Sequence, residues 1–206
     1  YGHLERQYGI PGHSHGDEDV DVYADLKQDR LQFISELTLD HDFFSATKTR
    51  FGFTDYEHSE IENGVVGTTF RNETAEARWE LFHHPIAEWR GTLSLHYKHS
   101  NFEAIGEEAF TPPSKTDTLA LGLMEERHVG DWLVQLGARV EQVKISANDI
   151  QLDLNEHDHT DEHNHSGEFI RVFDFDHEST PFSASAGVVW YFARGYEHGL
   201  CYTDAE

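Results

Sequence analysis

Apolar and polar residues alternate with a period of two along most of this chain, which is the pattern of strands that show one face to an apolar medium and the other to a polar one. In "RLQFISELTL", Leu31, Phe33, Leu37 and Leu39 oppose Gln32, Glu36 and Thr38. In "AEARWELF", Ala75, Ala77, Trp79 and Leu81 oppose Glu76, Arg78 and Glu80. The same holds for Leu93, Leu95 and Tyr97 against Ser94, His96 and Lys98, and for Trp132 to Val140 against Gln135 and Arg139. It holds again for Phe182 to Phe192 against Ser183, Ser185 and Gly187. Adding "VDVYADLK", "FSATKTRFGF", "TDTLALGLM" and a weaker "GLCYT", the pattern predicts roughly nine antiparallel strands, and no segment fits a helical stripe better.

Two kinds of connection alternate between these strands. Short ones fall near Asp40, Pro85, Gly130 and Gly195; long ones span Gly12 to Asp21, Asp55 to Gly64, Glu103 to Lys115 and Ser146 to Thr180. Successive connections of an up-and-down meander lie at opposite ends, so the long loops share one end and the short turns the other. Bacterial outer-membrane barrels have that layout.

Charge then acquires a place. The chain carries 39 Asp and Glu against 15 Lys and Arg, a formal charge of −24, which repels nucleic acid and attracts cations. About half of those acids, and half of the 16 histidines, fall in the four long loops. No run approaches the ~18 apolar residues of a membrane helix, and the first residues lack the basic and apolar regions of a signal peptide. A membrane β-barrel needs neither, and its strands escape ordinary hydropathy even at a mean hydropathy of −0.63. The single cysteine, Cys201, has no partner for a disulfide or a thiolate metal site.

Imidazole and carboxylate together suit Zn²⁺ and also Cu²⁺, Ni²⁺ or Co²⁺. The candidate metal ligands are His13, His15, His58, His157, His159, His163, His165 and His177, with Asp158, Asp161 and Glu162. The His-x-His pairs 13/15, 157/159 and 163/165 each offer two ligands without a preformed cage, so such a rim collects ions and releases them as imidazole protonates near ~6.5. A solvated loop of the same composition is the plain alternative. His83 and His84, in a short turn, read as structural; His96 falls on the polar face of its strand. "HTDEH", His159 to His163, matches an inverted zinc-protease pattern. No apolar stripe between Asn155 and Ser166 would pack the helix it requires, so no catalytic residue and no enzymatic activity is expected.

"YGIPGHSHGDED", "LKQDRLQFISEL", "RFGFTDYEHSEIENGVVGTTFRNETAEARWEL", "WRGTLSLHYKHSNFEAIGEEAFTPPSKT" and "FSASAGVVWYFARGY" together resemble the barrel of TonB-dependent outer-membrane receptors. "PGHSHGDED" and "HDHTDEHNHS" are similar to the His-rich loops of the zinc-uptake members. The resemblance implies an all-β, antiparallel transmembrane barrel of about 22 strands, of which residues 1–206 are a part. It implies a plug and further strands outside this sequence, outer-membrane lipid as surroundings, and a TonB energy-coupling complex as partner through that plug. Zn²⁺ would then be cargo. The sequence departs from the family in showing no plug, no TonB box and no terminal aromatic strand. Two other readings stay open: a receptor for an iron chelate or another nutrient, and a soluble acidic β-barrel. The last would turn the apolar faces inward and the membrane barrel would turn them outward; alternation is symmetric between the two.

Overall fold

The computed structural model describes residues 1–9, 22–106, 109, 111–152 and 171–205. Ten strands form one antiparallel sheet: β1 (Gly2–Gly9), β2 (Val22–Thr38), β3 (Phe44–Glu62), β4 (Val65–His83), β5 (Arg90–Gly106), β6 (Ser114–Val129), β7 (Trp132–Leu152), β8 (Arg171–Ser179), β9 (Phe182–Ala193) and β10 (Tyr196–Ala205). Each pairs with its sequence neighbour except at β8 and β9, which lie end to end along β7. The gap between them is Thr180-Pro181: proline has no N–H for the ladder, while its carbonyl still accepts from Glu141 N at 3.0 Å. The meander therefore has nine positions across its width, and among the described residues β1 and β10 do not pair, so the sheet is open.

Several strands are longer than the alternation indicates. Residues 22–27 of "VDVYADLK" and 30–38 of "RLQFISELTL" belong to one strand, β2, and Gly2–Gly9 adds a strand that alternation does not mark. The expected loop from Asp55 to Gly64 is instead strand up to Glu62, closed by a two-residue turn. Asn63 (φ 49°) and Gly64 (φ 80°) both take the left-handed conformation of a type I′ hairpin turn, which suits Asn-Gly. The long connections at 103–115 and 146–180 likewise shrink, because β5 runs to Gly106, β7 to Leu152, and β8 occupies 171–179. The alternation of ends holds: the strand ends at 9/22, 62/65, 106/114 and 152/171 share one end, and those at 38/44, 83/90, 129/132 and 193/196 the other.

The two faces differ in an unusual sense. Large apolar side chains are the open ones: Phe33 is 56% exposed, Leu121 48% and Phe182 52%. On the other face Glu80 is 7% exposed and Ala120 1%, and a cavity of about 560 Å³ is lined by Arg78, Glu80, Ser94, Gln135 and Arg139. Polar side chains thus shelter one another while the apolar ones face out, the inverse of a soluble β-protein.

The open apolar residues form a band that runs obliquely to the pairing rows. Its upper edge is Leu31, Phe53, Ala75, Tyr97, Leu119, Val140, Phe182 and Tyr202 on successive positions. Leu31 is level with Phe53, Ala75, His99, Asp117, Lys144 and Glu178. Carried on to β10, that row passes well above Tyr202, whose partner is Ala186. A descent of about eight residues at ~3.4 Å, over about seven inter-strand steps of ~4.8 Å, is a slope of roughly 40°. Trp132 and Trp190, paired and stacked at 5.4 Å, with Phe192 and Tyr196 at 6.1 Å, mark its lower edge.

Candidate functional site

Two regions bring charged or metal-ligating side chains together: the end with the wider connections, and the sheltered polar face. At the first, the outward side chains above the apolar band turn polar on almost every strand. Asp29, Asp55 and Glu73 are successive cross-strand neighbours, an arrangement that like charges disfavour unless they are offset. Offsets are present. Tyr1 Oη and His3 Nδ1 (2.8 Å) both bond the carboxylate of Asp29. The Tyr1 hydroxyl first, and His3 next, hold Asp29 below the usual carboxylate range, and Asp29 in turn raises His3. Arg71 Nε donates to Glu57 at 2.9 Å. A cavity of about 440 Å³ opens among Asp55, Glu57, Arg71, Glu73, Glu103 and Lys115.

Two of the predicted ligands fall within the described residues, and neither is in a loop. His58 is a strand residue of β3, paired with Leu26 and Phe70. Its ring is flanked by Tyr8 (6.2 Å), Tyr56 (6.4 Å) and Phe70 (5.7 Å), and its Nε2 is buried with no hydrogen-bond partner. His177 is a strand residue of β8, paired with Ile145 and stacked on Phe175 at 6.2 Å. Both point to the sheltered face at the same end, because β-register places Leu26, His58 and Phe70 on the side of Arg50 and Glu80, and Ile145 on the side of Arg139. Five strand spacings separate them, about 24 Å along the sheet at ~4.8 Å each, so they do not share one ion. Among the described residues no three His, Cys, Asp or Glu side chains are grouped as a metal site. His13, His15, His157, His159, His163, His165, Asp158, Asp161 and Glu162 lie outside the described residues.

The sheltered face holds a network that alternation alone does not locate. The rows Glu36·Lys48·Glu80·Ser94·Gly122·Arg139 and Arg50·Arg78·His96·Ala120·Glu141 run across it. Glu80 accepts from Arg50 at 3.0 Å and lies 3.1 Å from Arg78. His96 Nε2 is 2.9 Å from Glu76, Arg139 Nη2 is 3.1 Å from His96 Nδ1, and Arg139 also pairs with Glu141. In mid-sheet, Arg30, Lys48, Arg50, Arg78, Lys98 and Arg139 outnumber Glu36, Glu76, Glu80 and Glu141. A chain that is strongly acidic as a whole thus has a basic belt on its inner face. The signal that would have found it is the pairing register, which turns same-face residues into neighbours. No protein-family model matches this sequence.

Proposed function

We propose that the chain is a sector of an outer-membrane receptor barrel of the TonB-dependent kind, capturing zinc or a similar divalent ion at its rim. The observation that carries the membrane reading is the inverted pair of faces, with the apolar side chains open from β2 to β10. The roughly 40° slope of the band matches the tilt of strands in outer-membrane barrels, ~35–45°. Measured along β7 (Trp132 to Val140) and β9 (Phe182 to Phe192) and corrected for that tilt, the band is about 21–26 Å tall, against ~25 Å for such barrels. Aromatic residues at both of its edges correspond to interfacial girdles.

The open edges favour a larger barrel. With nine positions in alternating directions, β1 and β10 run the same way, so fully antiparallel closure takes an odd number of further strands. A second copy in the same orientation supplies nine, an odd number, but would join β10 to β1 in parallel. In lipid an unpaired edge costs several kcal/mol per backbone group, which argues against insertion as an open sheet.

Metal capture rests on placement and chemistry. The segments bearing His13/His15 and His157 to His165 join strand ends at the same end of the sheet as the acidic row of Asp29, Asp55 and Glu73. Carboxylates raise the local cation concentration within a Debye length of ~8 Å, and imidazoles supply borderline-soft ligands. Calorimetric titration of the chain with Zn²⁺ tests this: replacing His157, His159, His163 and His165 by Ala weakens binding more than replacing His41, His84, His128 and His198. Equal affinity in the two variants would leave carboxylates as the binders. The basic belt of Lys48, Arg50, Arg78, Lys98 and Arg139 favours a second reading, in which the cargo is an anionic metal chelate. Competition between Zn²⁺ and ferric chelates for binding separates the two.

A further inference from the structure

The end with the short turns carries a device that the capture reading does not use. His83 is the last residue of β4, and its side chain is 11% exposed. Its Nδ1 lies 2.7 Å from the carbonyl of His84, and its Nε2 lies 3.0 Å from Oε1 of Glu125 on β6. Both ring nitrogens therefore face acceptors, and a neutral imidazole has only one N–H to give. The imidazolium satisfies both. Contact across β5 is possible because the residue between His83 and Glu125 is Gly91: a Cβ there would meet Glu125 Cδ at 2.4 Å and its Oε1 at 2.6 Å.

This bridge braces a strained turn. Ala87 (φ 49°) and Glu88 (φ 69°) adopt left-handed conformations without being glycine, at a cost of ~1–2 kcal/mol each for an L-residue. The turn is closed by Ile86 and Trp89, with N···O distances of 2.9 and 3.0 Å, and tied to β6 by Glu88 and Arg127 at 2.5 Å. His83 meets Glu125 of β6 and the backbone carbonyl of His84, while Arg127 of β6 pairs with Glu88 of the turn. The turn before β3 contributes the ring of Phe43 at 6.4 Å, with His41 and Asp42 beside it in sequence. Glu125 Oε2 and Arg127 Nε are buried without hydrogen-bond partners, so removing the imidazolium leaves a sheltered carboxylate with less compensation.

We infer that His83 and Glu125 form a proton-operated latch over Gly91 that holds the 84–89 turn closed when His83 is charged and frees it when His83 is neutral. The carbonyl of His84 first, then Glu125, raises the affinity of His83 for its proton. A raised folded-state value means that the stabilisation is complete below the unfolded value of ~6.5 and is lost as pH climbs through the folded one. The latch therefore loosens on the alkaline side, the opposite sense to loss of metal from imidazoles on acidification.

Hydrogen–deuterium exchange of the full chain, read on the peptide covering residues 84–91 and corrected for intrinsic exchange, tests the latch between pH 5.5 and 8.5. Protection in the wild type should fall about tenfold as pH rises, the factor equivalent to one charge-assisted hydrogen bond. His83→Gln should give the low value at every pH, and Glu125→Gln should move the midpoint down. Ring ¹⁵N shifts of wild-type His83 give a reading that does not depend on variant folding. Protection independent of pH, a pH step that survives in His83→Gln, or a neutral His83 at pH 6 would each overturn the inference.

Discussion

Placing a charge in the middle of the apolar band distinguishes a membrane sheet from a soluble one by the sign and size of its effect. Leu121 sits between Leu95 and Val140 on the open face, level with Trp79 and Phe182, and 48% of it is exposed. About half of its ~2 kcal/mol transfer free energy, some 1 kcal/mol, depends on whether the surrounding medium is lipid. A guanidinium at the bilayer midplane costs a further ~2–4 kcal/mol. Leu121→Arg should therefore lower the stability of the closed barrel containing this sector, folded in phosphocholine vesicles, by about 3 kcal/mol or more, a factor above a hundred in the folding equilibrium. Gln135→Arg is the matched control, since Gln135 is on the sheltered polar face and its amide bonds Glu126 at 3.3 Å. In a wet lumen that change should stay within about 0.5 kcal/mol. Urea titration followed by tryptophan emission measures both. If Leu121→Arg were neutral and Gln135→Arg costly, the apolar face would be meeting water and the orientation argued here would be wrong.

Ala87→Gly should raise unfolding free energy by about 0.5–1 kcal/mol, because glycine relieves the left-handed strain at some entropic cost; denaturant midpoints at equal slope check it. Attachment of β1 should be firmest between about pH 3.9 and 6.5. Asp29, held low, loses its contribution as pH falls through its depressed folded value; His3, held high, loses its own as pH rises through the raised one. Amide protection of residues 2–9, compared at pH 3, 5 and 8, tests this, and a maximum outside that window counts against it. Bound zinc should decline between about pH 7 and 5 as imidazoles protonate near ~6.5, readable with a zinc-sensitive dye. Flat retention would assign the ion to carboxylates.

Strand content and the alternation of ends are legible in the sequence wherever a strand crosses the apolar band, because only there do its two faces differ sharply in polarity. Above the band the outward side chains turn polar as well, and that contrast is lost. Asp55 to Glu62, Val65 to Asn72, Gly2 to Gly9 and Arg171 to Ser179 are strand nonetheless, and with no alternation to mark them they resemble loops. Asn63-Gly64 was the one local signal available, and it sits where a long loop was expected. The acidic, histidine-bearing end follows from strand order alone, but His58 and His177 are spaced by sheet width, which sequence does not set. The contacts of Glu80 with Arg50 and Arg78, and of Arg139 with His96, depend on inter-strand offsets fixed by the turns. Likewise the span from His83 to Glu125 becomes visible only when Gly91 is known to lie between them.

Tryptophan quenching by brominated lipids tests the outward apolar face most directly. Trp79 lies at mid-band, Trp132 and Trp190 at its lower edge, and Trp89 in a short turn. In variants of the closed barrel containing this sector that keep one of these four tryptophans as their sole tryptophan, bromines near the middle of the acyl chain should quench Trp79 most. Bromines near the headgroup should quench Trp132 and Trp190 most, and aqueous iodide should reach Trp89 alone. Iodide quenching of Trp79, with no effect of brominated lipid at any depth, would contradict the account.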